Sequence, residues 1–139
     1  MATVSEIILK YNLSPLPGEG GFFRFINEFG NAGCIYYLIT PSSMSSIHKL
    51  TDDEMWFFLE GGKAEQLVIF PDGREELRIL DSTNRASLVK GKCYQGTKLV
   101  DGDYALFSTI MSPKYNDDMY SSADELLFTH HPIAKEFLN

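Results

Sequence analysis

Cysteine, tryptophan and clustered basic residues are scarce in this chain, and each shortage removes a class of protein. Two cysteines among 139 residues, Cys34 and Cys93, cannot build a disulfide framework. Cys34 sits in an apolar run and Cys93 precedes Tyr94, which suits reduced thiols in a core or pocket. The 12 Lys and Arg are outnumbered by 19 Asp and Glu, net charge −7, with no basic cluster. Nucleic-acid binding through phosphates needs a basic face, so nucleic acid is not an expected partner. No apolar stretch approaches the ~20 residues of a membrane helix. The N-terminus lacks the basic segment and hydrophobic run of a secretory signal. The expectation is a cytoplasmic protein with no membrane partner, consistent with unpaired thiols. Gly18-Glu19-Gly20-Gly21 has no following Lys-Ser/Thr, as a phosphate loop requires. Serines 42, 43, 45 and 46 lie in no G-x-S-x-G elbow, which argues against a serine hydrolase.

What is present reads as a β-rich globular chain. At 139 residues it suits one domain, residues 1–139. That length buries roughly two-thirds of the unfolded surface without metal or disulfide staples. Aromatic residues reach 13%, Phe and Tyr far outnumbering the single Trp56, and they favour strands with one buried face. Thr3-Val4-Ser5-Glu6 has capping-box spacing, and Val4, Ile7, Ile8 and Tyr11 follow at i, i+3, i+4 and i+7. That pattern predicts a short amphipathic helix, which Asn12 and the Pro- and Gly-rich segment 15–21 terminate.

Strand signals then take over, at 22–26, 34–40, 47–48, 54–59, 65–70, 74–80, 86–89, 94–99 and 104–111. Residues 27–33 read as a turn, Gly61-Gly62 as a strand end, and Pro71-Asp72-Gly73 and Asp101-Gly102 as tight turns. Ser122-Ala123-Asp124-Glu125 repeats the capping-box spacing and opens a short helix through about Phe128. His130-His131 before Pro132 reads as an exposed tail. No helices fall between the strands, which argues against a parallel α/β sheet, and a barrel or sandwich follows.

The most specific spacing surrounds Glu54, which lies six residues after His48 and seven before Gly61. It resembles the first cupin motif, in which a His-x-His pair precedes a glutamate and a glycine closes the strand. Leu50 stands where the second histidine would be. The chain more closely resembles the "cupin five" family, a domain of unknown function. The likeness rests on Glu19-Gly20-Gly21-Phe22-Phe23-Arg24, Ile35-Tyr36-Tyr37-Leu38, Ser45-Ser46-Ile47-His48, Asp53-Glu54-Met55-Trp56, Tyr94-Gln95 and Gly102 to Leu106, in that order. Leu16 and Gly18 depart from the family's Pro-His-Pro, and Lys90 and Lys92 replace the proline and glycine of its second motif. The resemblance implies an all-β, cupin-type double-stranded β-helix (jelly-roll) barrel with a short helix near each terminus, and a homodimer.

It also implies where chemistry would sit. The metal positions of such barrels read His48, Leu50, Glu54 and Gln95 here. Leucine cannot coordinate and an amide is a poor ligand, so no cofactor is expected. Any residual ion would rest on His48, Glu54 and Gln95. Period-two alternation turns Glu54, Trp56 and Phe58 to one face and Met55, Phe57 and Leu59 to the other. The first face would line a pocket for a small, carbohydrate-like molecule, with Glu19, Arg24, Trp56, Tyr94 and Gln95 as ligand-binding residues.

In the sharpest reading His48 removes a proton beside a carbonyl, since an imidazole ordinarily titrates near neutrality. Glu54 orients its ring and Tyr104 returns the proton. The candidate reaction is metal-independent isomerisation or epimerisation of a sugar derivative. One alternative is a non-catalytic ligand-binding or assembly module, in which His48 and Glu54 merely bond each other at a barrel rim. Another is a metal-dependent dioxygenase or lyase, disfavoured by Leu50 and Gln95.

Overall fold

The computed structural model describes residues 2–139. The first helix, α1 (Val4–Tyr11), begins where the capping box predicts. Glu6 N–H donates to the Thr3 hydroxyl, the Glu6 carboxylate accepts from Thr3 N–H, and Asn12 closes the helix in left-handed conformation. Its one fully buried side chain, Ile7, packs on Leu38, Tyr104 and Leu106.

Nine antiparallel strands follow: β1 (Ser14–Pro15), β2 (Phe22–Phe29), β3 (Ala32–Ile39), β4 (Ser45–Leu50), β5 (Glu54–Ile69), β6 (Glu75–Leu80), β7 (Ala86–Val89), β8 (Tyr94–Met111) and β9 (Tyr120–Ser122). The helix α2 (Glu125–His130) and a 3-10 turn (Pro132–Phe137) complete the chain. The sheet runs β1-β2-β3-β8-β4-β9, and β5 lies along β8 while carrying β6 and β7. The first half of β8 pairs with β4 and the second half with β3, so the sheet curls into the expected all-β barrel.

Two sequence signals resolve differently from expectation. Gly61-Gly62 and Asp101-Gly102 do not end strands; they lie inside β5 and β8, each one continuous strand. The two pairs face each other where the β5–β8 register shifts at Lys63. A Cβ on Gly62 would strike the Asp101 carbonyl oxygen, so the close backbone approach at this bend requires glycine.

The turn read at 27–33 also shrinks, because β2 extends to Phe29 and β3 starts at Ala32. At the far end Asp124, not Ser122, caps α2, its carboxylate accepting from Leu127 N–H. Ser122 belongs instead to β9, paired with His48. His131 is no free tail residue: its Nδ1 lies 2.5 Å from the Glu75 carboxylate. The Pro71-Asp72-Gly73 turn forms as predicted, with Gly73 N–H donating to Phe70 O.

Alternation along β5 is also as read. Glu54, Trp56 and Phe58 are buried, while Phe57 and Leu59 stay exposed. Trp56, Phe58 and Phe107 meet edge to face inside the barrel, at centroid distances of 5.2 and 5.8 Å. On the outer side, Phe137 and Leu127 pack over Ile47, Leu67 and Ile69.

Candidate functional site

A cavity of about 820 Å³ opens into one end of the barrel, and several strands and the β1–β2 loop bring polar groups to it. From β4 comes His48, only 1% exposed. Its Nδ1 lies 2.7 Å from the Ser46 carbonyl. A carbonyl only accepts, so Nδ1 carries a hydrogen and Nε2 is the ring nitrogen turned toward Glu19. Tyr120 of β9 stacks on the ring at 5.2 Å and 13°, which holds its plane.

From the loop between β1 and β2 comes Glu19, its Oε1 3.8 Å from His48 Nε2 and its Oε2 accepting from the Ser45 hydroxyl at 2.7 Å. That loop is held from several sides. Gly21 N–H donates to the Ser43 hydroxyl, Tyr37 O–H donates to Gly20 O, and the Asn139 amide donates to the carbonyls of Glu19 and Met44. Gly20 and Gly21 have φ of +100° and +73°, and a Cβ on Gly20 would meet the Met44 carbonyl. The Glu-Gly-Gly of the sequence is thus the device that lets a carboxylate approach β4 closely.

From β5 comes Glu54, 8% exposed. Its Oε1 accepts from Gln95 Nε2 at 3.2 Å, and Gln95 Oε1 accepts from Trp56 Nε1 at 3.1 Å. Burial, then the charge of Glu19, raises the Glu54 carboxyl to about 7, against the opposing effects of His48, Thr109 and Gln95. The Tyr37 hydroxyl is pushed well above its ordinary range, by burial first and Glu19 next. Tyr120 moves the same way for the same two reasons. Both tyrosines are therefore donors, not bases.

His48, Glu54, Trp56 and Glu19 share this cavity. Gln95 belongs to the same interior but stands behind Glu54 and Trp56, holding both rather than facing the space. Three other expected residues lie elsewhere. Arg24 is exposed over the Tyr36 ring, because Phe23 and Phe25 take the cavity side of β2. Tyr94 alternates away from Gln95 and sits under Lys49. Tyr104 points toward α1, donating to Glu60 at 3.0 Å, its hydroxyl pushed up to about 12 by burial and then by Glu60.

The expected orienting bond from Glu54 to His48 is also replaced, since the Ser46 carbonyl orients the ring. Tyr37, Thr109 and Tyr120 line the cavity and escaped the sequence reading. Tyr37 was legible in principle, as an aromatic residue of the 34–40 strand run. Tyr120 was not, because nothing local marks the three-residue β9.

A resident transition metal does not fit this donor set. Leu50 presents hydrocarbon to the cavity and the Gln95 amide is committed to Trp56 and Glu54. Among the described residues no three His, Cys, Asp or Glu are grouped to hold an ion.

The curled sheet, with its cavity at one end between β4, β5 and the β1–β2 loop, defines a cupin-type barrel. Residues 5–122 match the cupin superfamily (DUF985), and the chain belongs to that family. Its structure is similar to a hypothetical protein from Leishmania major, 20% identical, with TM-score 0.90 over 99% of both chains. It is similar to a protein from Shewanella oneidensis, 24% identical, with TM-score 0.87 over 100% of this chain and 99% of that one. Oxalate decarboxylase of Bacillus subtilis is 16% identical, with TM-score 0.66 over 89% of this chain. This chain spans only 36% of that enzyme's length. At such identities these likenesses speak to fold. No curated protein matches the sequence. No helix among the described residues is long and apolar enough to cross a membrane.

Proposed function

We propose that the barrel binds a small organic molecule, a sugar derivative in the first instance, and isomerises it by metal-independent acid–base chemistry. What supports this reading is a buried His48 clamped through Nδ1, with no hydrogen bond at its Nε2 among the described residues, in one cavity with a carboxyl raised to about 7. Nε2 takes the proton next to a substrate carbonyl, and the neutral Glu54 acid donates to the carbonyl oxygen, so the electron pair rests in an enediol. Reversal at the neighbouring carbon completes the isomerisation. A base and an acid with environments this different are the usual requirement for such proton transfer near neutral pH.

A binder without turnover is the second reading. It is favoured by the hydrocarbon of Leu16, Ile35, Leu50 and Met111 around the same space. One experiment addresses both. Purified protein is screened by thermal shift and then for turnover against a panel of sugars and sugar nucleotides. His48→Gln and Glu54→Gln are expected to abolish turnover of a hit, at least a hundredfold, while keeping the melting transition. A hit that binds but is untouched by the native protein selects the binder. A panel that neither shifts the melting temperature nor turns over ends the sugar reading.

A further inference from the structure

The charge inside this cavity is lopsided. Glu19 and Glu54 line it, Asp117 lies at its margin, and Lys114 is the one Lys or Arg on its wall among the described residues. Lys114 is already engaged, its ammonium 2.6 Å from the Glu28 carboxylate. An anionic ligand would therefore meet the Glu19 carboxylate with no free cation among the described residues to offset it.

The hydrogen-bonding pattern points the same way. Glu19 Oε1 and His48 Nε2 face each other at 3.8 Å, too far for a direct hydrogen bond. Nε2 has no hydrogen-bond partner among the described residues, although the His48 side chain is 2% exposed. Glu19 Oε1 can only accept, and an ammonium placed in this gap would donate to it with charge assistance. Trp56, Phe23 and Tyr120 border the same space, and aromatic faces attract a cation that carboxylates alone would hold only loosely.

We propose that the cavity selects a ligand carrying a protonated amine on a small ring body, its ammonium seated between Glu19 and Nε2 of His48. The inference rests on the reading that this cavity holds a small molecule. An amino sugar and an arylalkylamine share the required chemistry, so two matched series serve as probes. One is glucosamine, glucose and glucuronate; the other is 2-phenylethylamine, 2-phenylethanol and phenylacetate.

Binding is followed by amide chemical shifts of the full chain, with the changes mapped onto β4, β5 and the β1–β2 loop. In at least one series the amine is expected to bind tenfold or more tightly than its neutral and anionic counterparts. The series that shows this identifies the ring body. Glu19→Gln is expected to bring the amine down to the level of its neutral counterpart. Equal binding across a series, preference for the anion, or an amine preference unmoved by Glu19→Gln overturns the amine assignment and leaves the small-molecule reading standing. Silence from all six compounds overturns both.

Discussion

Glu54 is where the site and the stability of the barrel meet. Its carboxyl is raised from 4.5 to about 7, chiefly because burial disfavours the charged form. A folded-state value above the unfolded one means the folded protein holds the proton more tightly. The contribution to stability is therefore complete below about 4.5 and is lost as pH rises through about 7. At ~1.4 kcal/mol per unit the loss is roughly 3 kcal/mol.

Glu54→Gln keeps the bond from Gln95 and removes the charge. Urea titrations from pH 5 to pH 8 should show the native protein weakening and this variant holding nearly level. A variant with the native slope would mean that Glu54 is not the buried acid. Glu28 and Asp53 do not titrate in this window, because they are held below their ordinary range by Lys114 and by Gly91 N–H with Lys90, respectively.

At the level of elements, β5 and β8 form the frame, and their shared bend decides where Glu54 and Gln95 arrive. Strand propensity and alternation were readable from single residues, which is why the inward set Glu54, Trp56, Phe58 and the Pro71-Asp72-Gly73 turn came out as read. Glycine was the ambiguous letter. The same residue that relaxes a tight turn also permits one backbone to press against another, and only the partner strand tells the two apart.

Gly62 and Gly73 test this distinction. A Cβ on Gly73 meets nothing within 4 Å, and its φ of +91° alone makes alanine costly, by about 1 kcal/mol. A Cβ on Gly62 strikes the Asp101 carbonyl, so Gly62→Ala should cost about 2–4 kcal/mol, visible as a melting temperature lower by about 10 °C. A smaller loss at Gly62 than at Gly73 would refute the bend. Site residues contributed by short or distant pieces were legible least of all. The ring of Tyr120 reaches His48 only through β9, and the bond that orients His48 comes from the Ser46 backbone, which has no side-chain signature.

For the whole molecule, the outer face of the sheet carries apolar side chains that the chain does not cover. Phe57 and Leu59 of β5 and Leu88 of β7 are 37%, 39% and 41% exposed, and Met55 pairs with Leu88 between the strands. Apolar side chains left exposed on one face are what an interface buries. We propose that a second copy covers them, in a two-fold arrangement where the same face serves both partners. Burying this face would also shield the nearby edge strand β7 from uncontrolled pairing. Light scattering of the native chain is expected to give twice its 15.7 kDa. Phe57→Glu with Leu88→Glu places two like charges on each face, hence four across the junction, and should return the mass to that of one chain. Because both side chains point away from the core, the variant should keep its folded spectrum, so loss of assembly and loss of folding are separable. A native protein that scatters as a single chain at all concentrations tested would show that the face is simply exposed.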